Sequence, residues 1–279
     1  MGDPMGKTSS PLNWRVWLSG ASSGLGEALA RELAGRGAKL ALFARRGELL
    51  SKLRDDLLAK SPGTGIPCAE IIVQAGDVRD PARVREAIAE AEVRFGGIDV
   101  LILNAGTGDS LFPDKFDVEL VERVVGVNFF GAVYGIGAAL PGMLARGSGR
   151  IVGISSIAGV RGFPGSGPYC ASKAALTTFL ESLRLDLRGT GVRVITVAPG
   201  FIVTPLTDRN QFPMPFRQPV DRAARRIVRG IERGTREIHF PKRFTLLLKV
   251  LRCFPVPFYD FVMGRFLPRG LRKSPSREA

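Results

Sequence analysis

The chain alternates short apolar runs with longer segments whose apolar residues recur at the helical period. The runs are rich in Val, Ile and Leu, as is typical of strands buried on both faces of a parallel sheet. The predicted strands are 15–20, 39–44, 70–76, 99–106, 149–156, 192–200 and a short edge strand at 237–240. The predicted helices are 24–36, 47–60, 81–95, 117–145, 168–188 and 221–233. This alternation predicts an α/β protein with one doubly wound parallel sheet and helices on both faces.

The pattern contains no linker or internal repeat before about residue 201, which indicates one domain. We predict a disordered N-terminal tail at 1–12, a single domain at 13–240 and a basic, apolar extension at 241–279. Residues 201–220 contain four prolines and no clear periodicity. Long irregular stretches of this kind are usually functional or disordered, so we expect a loop or lid here.

Composition narrows the class of protein further. With 45% hydrophobic and 24% charged residues in 279, the chain is ordinary for a globular protein. Its three cysteines are widely spaced, which argues against a disulfide framework and for a reducing compartment. His239 is the only histidine, and we interpret it as a structural residue of the edge strand. Zinc sites usually draw on several Cys and His ligands, so we predict no metal site.

A glycine-rich segment, SGASSGLG at 19–26, connects the first strand to the first helix. Glycines there allow the backbone to approach a pyrophosphate, which the helix N-terminus also attracts, as in a Rossmann-type fold. The same residues also match the nucleophile-elbow pattern G-x-S-x-G, centred on Ser22. A hydrolase of that type would need His239 as its base. Both interpretations start from the same strand-to-helix turn.

The residues that end the next strands suggest which dinucleotide is bound. A carboxylate at the end of the second strand would bind the ribose 2′-hydroxyl of NAD, but this chain has Ala44, followed by Arg45 and Arg46. Guanidinium groups suit a 2′-phosphate, which favours NADP(H) and makes NAD(H) the alternative. Asp77 and Asn104 end the third and fourth strands, and strand ends meet in one crevice of such a sheet.

Tyr169 and Lys173 are four residues apart in the segment YCASK, so they share one face of the predicted helix. A phenol with a pKa near ~10 is a weak acid–base group at neutral pH. An adjacent ammonium, together with the positive charge of an oxidised nicotinamide, favours the phenolate and would lower that pKa. An isolated pair of this kind is usually surface decoration, and only its combination with the other motifs favours catalysis.

Taken together, these motifs resemble the short-chain dehydrogenase/reductase family. The resemblance covers residues 13–240 and includes SGASSGLG, DVRD, LNAG, VNFFG, ISS, YCASK and APGFIVT in the family's order and spacing. Ser19 stands where the family usually has Thr, and Leu103 stands where Asn is common.

The resemblance implies an oxidoreductase that transfers a hydride between a nicotinamide and a carbonyl or secondary alcohol. It assigns acid–base catalysis to Tyr169, the substrate oxygen to Ser156 rather than Ser155, a relay water to Asn128 and the nicotinamide ribose to Lys173. The implied cofactor-binding residues are Gly20, Ser22, Ser23, Gly24, Leu25, Gly26, Arg45, Arg46, Asp77, Val78, Asn104, Ala105, Gly106, Tyr169, Lys173, Pro199, Gly200, Ile202 and Thr204. A catalytically idle dinucleotide-binding scaffold or redox sensor is the alternative, because fold does not fix function.

The positive charge of the chain is concentrated in its C-terminal part. Net charge is +14, and residues 217–279 carry 16 Lys/Arg against 5 Asp/Glu, a net of +11. Residues 241–273 also show an amphipathic pattern, with Lys242, Lys249 and Arg252 on one side and Phe244, Leu247, Leu248 and Leu251 on the other. The segment fits either an anionic membrane surface or a lid or subunit contact over a lipophilic substrate site. We expect a cytoplasmic homodimer or homotetramer, with peripheral membrane attachment as an option and no nucleic-acid partner.

Overall fold

All seven predicted strands lie in one parallel sheet of the computed structural model, which describes residues 12–60, 70–209, 214 and 216–265. The strands are β1 (Arg15–Ser19), β2 (Lys39–Ala44), β3 (Ile71–Ala75), β4 (Val100–Leu103), β5 (Gly149–Ile154), β6 (Val192–Pro199) and β7 (Glu237–Phe240). Their order across the sheet is β3-β2-β1-β4-β5-β6-β7. The predicted fold class is therefore confirmed.

The order of the strands reverses beside β1, whose two neighbours are β2 and β4. Val16 is in register with Leu40 on one side and with Val100 on the other. Ligands of open α/β sheets bind beyond the carboxyl ends of the strands at such a reversal. The fold thus places the ends of β1, β2 and β4 around one crevice.

Helices cover both faces of the sheet and leave its central strands buried. The helices are α1 (Gly24–Ala34), α2 (Gly47–Lys60), α3 (Pro81–Phe95), α4 (Val118–Val125), α5 (Gly131–Ala145), α6 (Gly167–Asp186), α7 (Val220–Glu232), α8 (Lys242–Arg252) and α9 (Val256–Gly264). Apolar residues of α1, α2 and α7 form the core on one face. Those of α3, α5 and α6 form the core on the other.

Local signals set the ends of α3. The side chain of Asp80 accepts hydrogen bonds from the backbone N–H groups of Ala82 (3.0 Å) and Arg83 (3.1 Å). Pro81 occupies the first helical position, where its missing N–H costs nothing. Gly96 ends the helix in the left-handed conformation, at φ +75°.

The predicted helix 117–145 is interrupted. The turn Gly126–Phe130 between α4 and α5 has π-helical hydrogen bonding. Single π turns occur often at functional sites, and this one contains the predicted site residue Asn128. The run Val118–Ala145 is also apolar and long enough to cross a membrane, the one such helix among the described residues. Several of its residues, including Leu120, Ile136 and Met143, are buried within the folded domain.

The N-terminal end of the predicted domain differs from the expectation by one residue. Leu12, which the prediction places in the N-terminal tail, is buried, and its N–H donates to the carbonyl of Arg36 at 2.6 Å. The domain therefore begins no later than residue 12, and the rest of that tail lies outside the described residues. Beyond β7 the described part of the extension folds into α8 and α9. The remaining predicted extension, 266–279, also lies outside the described residues.

Candidate active site

A cleft of about 470 Å³ lies at the carboxyl ends of the strands. Every residue predicted to bind a cofactor lines it, and so does Ser156. Asn128 is the one predicted site residue that does not, because its side chain is buried behind the wall. The tertiary fold thus brings together motifs that are up to about 180 positions apart in the chain.

The glycine-rich loop is folded as tightly as pyrophosphate binding requires. Gly20 and Gly24 have φ of +67° and +57°, a region that glycine adopts without strain. A Cβ on Gly26 would lie 2.0 Å from the carbonyl oxygen of Gly20, so no larger residue fits there. The loop leads directly into α1, whose first backbone N–H groups are free to bind an anion.

Asn104 holds this loop in place. Its Nδ2 donates to the carbonyls of Ser19 and Gly20, both at 3.1 Å. In return, the Ser19 hydroxyl accepts hydrogen bonds from the N–H groups of Asn104 (3.0 Å) and Ala105 (3.2 Å). Ser19 therefore retains the hydroxyl contact that a Thr could make. The predicted cofactor-binding residue Asn104 shapes the cleft through the backbone around it.

The two arginines after β2 both line the cleft but make different contacts. Arg46 Nη2 donates to the hydroxyls of Ser22 at 3.0 Å and Ser23 at 2.8 Å. Arg45 lies close enough to Asp77 for its charge to help lower the pKa of that carboxyl. The largest effect on the Asp77 pKa is a hydrogen bond from Arg79, whose Nη2 lies 2.7 Å from Oδ2. The Arg46 guanidinium thus contacts the glycine-rich loop, and those of Arg45 and Arg79 lie near Asp77.

The same contacts leave the hydrolase interpretation without a catalytic pair. The Ser22 hydroxyl is hydrogen-bonded to Arg46. His239 Nε2 lies 2.8 Å from a carboxylate oxygen of Glu237, on the edge strand β7. His239 is thus engaged as a structural residue, and nothing couples it to Ser22.

Ser156 and Tyr169 line the same part of the cleft. Burial raises the pKa of Tyr169 above its usual value, and a hydrogen bond with the Ser156 side chain offsets part of that rise. Ser155 is turned away, since its Oγ contacts the carbonyl of Lys173 (2.9 Å) and the hydroxyl of Thr177 (2.7 Å). Burial also raises the pKa of the Cys170 thiol, which disfavours a reactive thiolate.

Lys173 stands behind Tyr169 in a buried position, with its side chain 3% exposed. Its Nζ donates to the carbonyl of Ile154 at 2.8 Å and lies 5.8 Å from the centre of the Tyr169 ring. Burial lowers the pKa of Lys173 to about 8. The expectation that this ammonium and an oxidised nicotinamide together lower the Tyr169 pKa concerns the cofactor-bound protein. In this structure burial raises the pKa of Tyr169 and lowers that of Lys173. Tyr169 is therefore a protonated phenol at neutral pH in this structure.

Asn128 organises the wall of the cleft from the π turn. Its Oδ1 accepts from the N–H of Thr107 at 2.8 Å, and its Nδ2 donates to the carbonyl of Thr107 at 2.9 Å. Nδ2 also donates to the hydroxyl of Ser172 at 2.9 Å, and Ser172 in turn donates to the carbonyl of Tyr169 at 2.8 Å. The amide thus links the loop after β4 to the start of α6.

Among the residues that sequence reasoning missed, Arg79 and Thr107 line the cleft, and Ser172 contacts Asn128 behind it. Arg79 could have been identified from the spacing DVR, since a guanidinium two residues after Asp77 can reach it. Ser172 lies within the YCASK segment and was read only as a small residue. Thr107 carried no sequence signal, because its backbone rather than its side chain makes the contacts.

Comparison with known proteins places this geometry in a family. The sequence profile described as short chain dehydrogenase matches residues 15–213, more than two thirds of the chain. An uncharacterized oxidoreductase of Myxococcus xanthus is 41% identical over 255 residues, 91% of this chain and 98% of that protein. The 11-beta-hydroxysteroid dehydrogenase 1A of Arabidopsis thaliana is 39% identical over 71% of this chain, which spans 54% of that protein.

Solved structures show the same fold. An alcohol dehydrogenase from Thermococcus sibiricus, complexed with 5-hydroxy-NADP, superposes with a TM-score of 0.70 at 26% identity, covering 81% of this chain and 94% of that one. A short chain dehydrogenase/reductase from Burkholderia phymatum in complex with NAD gives 0.77 at 24% identity, over 99% of each chain. With the profile match and these relatives, the chain belongs to the short-chain dehydrogenase/reductase family of oxidoreductases.

Proposed function

We propose that the protein is an NADPH-preferring carbonyl reductase, reversible as an alcohol dehydrogenase, that acts on a lipophilic substrate with Tyr169 as its acid–base group. One observation carries the proposal. Ser156, Tyr169 and Lys173 line the same cleft as the glycine-rich loop. A proton donor, a hydroxyl that can hold an oxygen and a dinucleotide cradle therefore open into one space.

The residues present fit a nicotinamide dinucleotide. The tight glycine-rich loop and the N-terminus of α1 suit the pyrophosphate. Lys173 uses one of three ammonium donors on Ile154, which leaves two for the nicotinamide ribose. Pro199, Gly200, Ile202 and Thr204 line the cleft and would lie along the nicotinamide. When bound, the cofactor supplies or accepts the hydride.

The protein's own contribution is to move a proton. In the reductive direction Tyr169 donates its phenolic proton to the substrate oxygen as the carbonyl carbon gains the hydride, which yields an alcohol. The raised pKa of Tyr169 keeps the proton in place at neutral pH until the substrate oxygen becomes basic. Ser156 would hold that oxygen through its hydroxyl. In the oxidative direction the positive charge of the oxidised nicotinamide would favour the Tyr169 phenolate, which then removes the proton from the alcohol.

The contacts of Arg46 support a preference for NADPH. A guanidinium that already rests on the hydroxyls of Ser22 and Ser23 lies beside the loop that begins the dinucleotide site. Together these groups offer several donors to a 2′-phosphate, and charge-assisted hydrogen bonds of this kind are strong. Arg45 adds a second positive charge on the cleft wall, and Ala44 provides no carboxylate that would favour NADH.

Aromatic side chains beside the cleft support a lipophilic substrate. Phe201 directly follows the cleft residue Gly200, and its ring centre lies 6.3 Å from that of Phe244. Phe216, in turn, lies 6.1 Å from Phe244. Two similar proteins are named levodione reductase and 11-beta-hydroxysteroid dehydrogenase 1A, and the second name specifies a steroid.

Replacing Arg46 by Ala is expected to weaken NADPH binding about tenfold to a hundredfold. This corresponds to the ~1.5–3 kcal/mol that a charged hydrogen bond contributes. NADH affinity should change little, because NADH lacks the 2′-phosphate. Fluorescence titration with both cofactors measures the two effects. Arg45→Ala is the matched control, with a smaller loss of NADPH affinity. If Arg46→Ala weakens both cofactors equally, the arginine supports the loop and does not recognise the phosphate.

The activity itself is tested by following NADPH oxidation with panels of ketones, aldehydes, retinoids and steroids. We expect turnover with a lipophilic carbonyl compound, which Tyr169→Phe lowers at least about 100-fold. Tight binding of NADPH with no turnover across the panels would instead support the idle scaffold or redox sensor.

A further inference from the structure

The helices α8 and α9 expose an unusual amount of apolar surface. Seventeen large hydrophobic side chains are exposed in the described part of the chain. Seven of them lie between positions 246 and 261, in these two helices and the turn that joins them. They are Leu246, Leu247, Val250, Phe254, Val256, Phe258 and Phe261, with exposed fractions between 41% and 65%. We refer to these seven side chains as the outer patch. Patches of this kind usually mark a contact with another surface.

The opposite side of α8 is occupied by contacts with the domain. Leu248 and Thr245 are buried, at 7% and 3% exposure. Phe244 packs against the rings of Phe201 and Phe216. This arrangement differs from the predicted helix, in which Phe244, Leu247 and Leu248 share one apolar side. This inner side of α8 covers the loop beside the cleft. The outer patch does not take part in covering the cleft.

Polar contacts fix the orientation of the two helices. Arg161, in the loop between Ser156 and Tyr169, donates through Nη1 to the carbonyls of Leu251 (2.7 Å) and Phe254 (3.2 Å). Its guanidinium also lies 3.9 Å from the ring centre of Tyr259, whose hydroxyl donates to the carbonyl of Gly162. These contacts join α8 and α9 to the substrate side of the cleft. The exposed side chains of the outer patch are therefore carried by helices whose position against the domain is fixed.

We infer that the outer patch inserts into the surface of an anionic lipid bilayer and seats the enzyme there. Charge complementarity selects this occupant. Residues 241–273 contain eight Lys/Arg and one Asp. Within this segment, Arg252 and Arg265 are exposed beside the patch, and the Arg265 guanidinium lies 4.2 Å from the ring centre of Phe261.

The preceding helix, α7, is also basic. Arg222, Arg225 and Arg229 are exposed on α7, and within the described chain none of them forms an ion pair with a carboxylate. Their neighbour Arg226 lies 5.6 Å from the ring centre of Phe240, at the end of the strand that leads into α8. A basic, apolar surface of this composition is typical of helices that lie in a membrane interface.

The basic residues and the apolar side chains contribute different amounts to membrane affinity, and salt affects the two contributions differently. Each basic residue close to an anionic surface contributes up to about fivefold in affinity, and that contribution is screened by salt. Each Leu or Phe that leaves water contributes roughly tenfold or more and is not screened. Binding should therefore weaken in high salt without disappearing. It should also respond strongly to charges placed within the patch.

Co-sedimentation of the full-length protein with phosphatidylcholine vesicles containing about a third phosphatidylserine tests the inference. We expect binding at low salt, weaker binding in about 0.5 M salt and weaker binding to phosphatidylcholine alone. Leu247→Glu combined with Val250→Glu should lower the partition coefficient at least about 100-fold. Phe261→Glu, on the other helix, should lower it about tenfold or more.

The matched control is Val93→Glu, since Val93 is 87% exposed on α3 and receives the same charge far from the patch in sequence. It should bind vesicles as the unaltered protein does, and all variants should unfold at the same temperature because the altered positions are exposed. The inference is overturned if the unaltered protein stays in the supernatant at low salt. It is also overturned if the Glu variants bind normally. If those variants instead lower the molar mass in solution without any vesicle binding by the parent, the patch is a contact between copies of this chain.

Discussion

Tyr169→Phe is expected to lower the turnover number at least about 100-fold while NADPH still binds. The substitution keeps the aromatic ring, which packs against Gly108 in the loop after β4, and removes only the hydroxyl that would give up the proton. Single-turnover measurements with a substrate from the panels, together with an NADPH titration, separate the two effects. Because the ring is retained, a loss of cofactor affinity is not expected.

The control for this prediction is Tyr134→Phe, which removes a phenolic hydroxyl from α5, where the ring stacks on Phe130. That variant should retain full turnover. If Tyr169→Phe also retains near-normal turnover, Tyr169 is not the proton donor, and a water or Ser156 must supply the proton instead.

Lys173→Met is expected to have opposite effects on activity and on stability. Turnover should fall at least about 100-fold, because the ammonium that would position the ribose is lost. The free energy of unfolding at pH 7 should rise by about 2 kcal/mol. Burial lowers the Lys173 pKa from 10.5 to about 8, which costs the folded protein about 3 kcal/mol. The variant avoids this cost but loses the hydrogen bond to Ile154, which contributes about 1 kcal/mol.

The stability gain of this variant should depend on pH. Between about pH 8 and 10.5 the unfolded chain holds a proton on Lys173 that the folded protein has released, so the unaltered protein becomes more stable as pH rises. The penalty is fully present below pH 8, and the advantage of Lys173→Met should shrink to nearly zero by about pH 10. Urea unfolding of both proteins at pH 7 and pH 10 measures this difference in the free energy of unfolding.

Lys52→Met, at an exposed position of α2, provides the control and should leave stability unchanged at both pH values. A stability gain for Lys173→Met that is the same at pH 7 and pH 10 would contradict the assignment. The buried ammonium would then not be the source of the cost. Such a result would point instead to better packing by Met.

Distance along the chain separates what sequence analysis could predict at the site from what it could not. Ser22, Asn104, Ser156 and Tyr169 were predicted because each belongs to a short motif at the end of a strand or the start of a helix. Parallel strands bring those ends together without further information. Which of two adjacent residues faces the cleft was harder to predict. Ser155 and Ser156 are neighbours, and only the packing of α6 against β5 directs Ser155 to the carbonyl of Lys173.

The electrostatics of the site depend on burial. The sequence places Lys173 one helical turn from Tyr169, and from that spacing we expected the ammonium to lower the Tyr169 pKa. The structure buries both groups and gives the ammonium a carbonyl partner on β5. Desolvation then raises the Tyr169 pKa. Spacing along a helix cannot report this, because desolvation comes from atoms of other elements.

The sequence by itself determined the strands, most of the helices, the parallel sheet and the motifs at its strand ends. These follow from local periodicity and from turn chemistry, which involve residues that are near one another in the chain. Only the tertiary structure decided that the long helix before β5 contains a π turn around Asn128, that Arg46 rests on the glycine-rich loop, and that Leu248 faces inward while Leu247 faces outward. Each of these depends on a partner far away in the sequence: Thr107 for Asn128, Ser22 for Arg46, and the body of the domain for α8. Packing against such partners selects one orientation among several that the local sequence allows equally well.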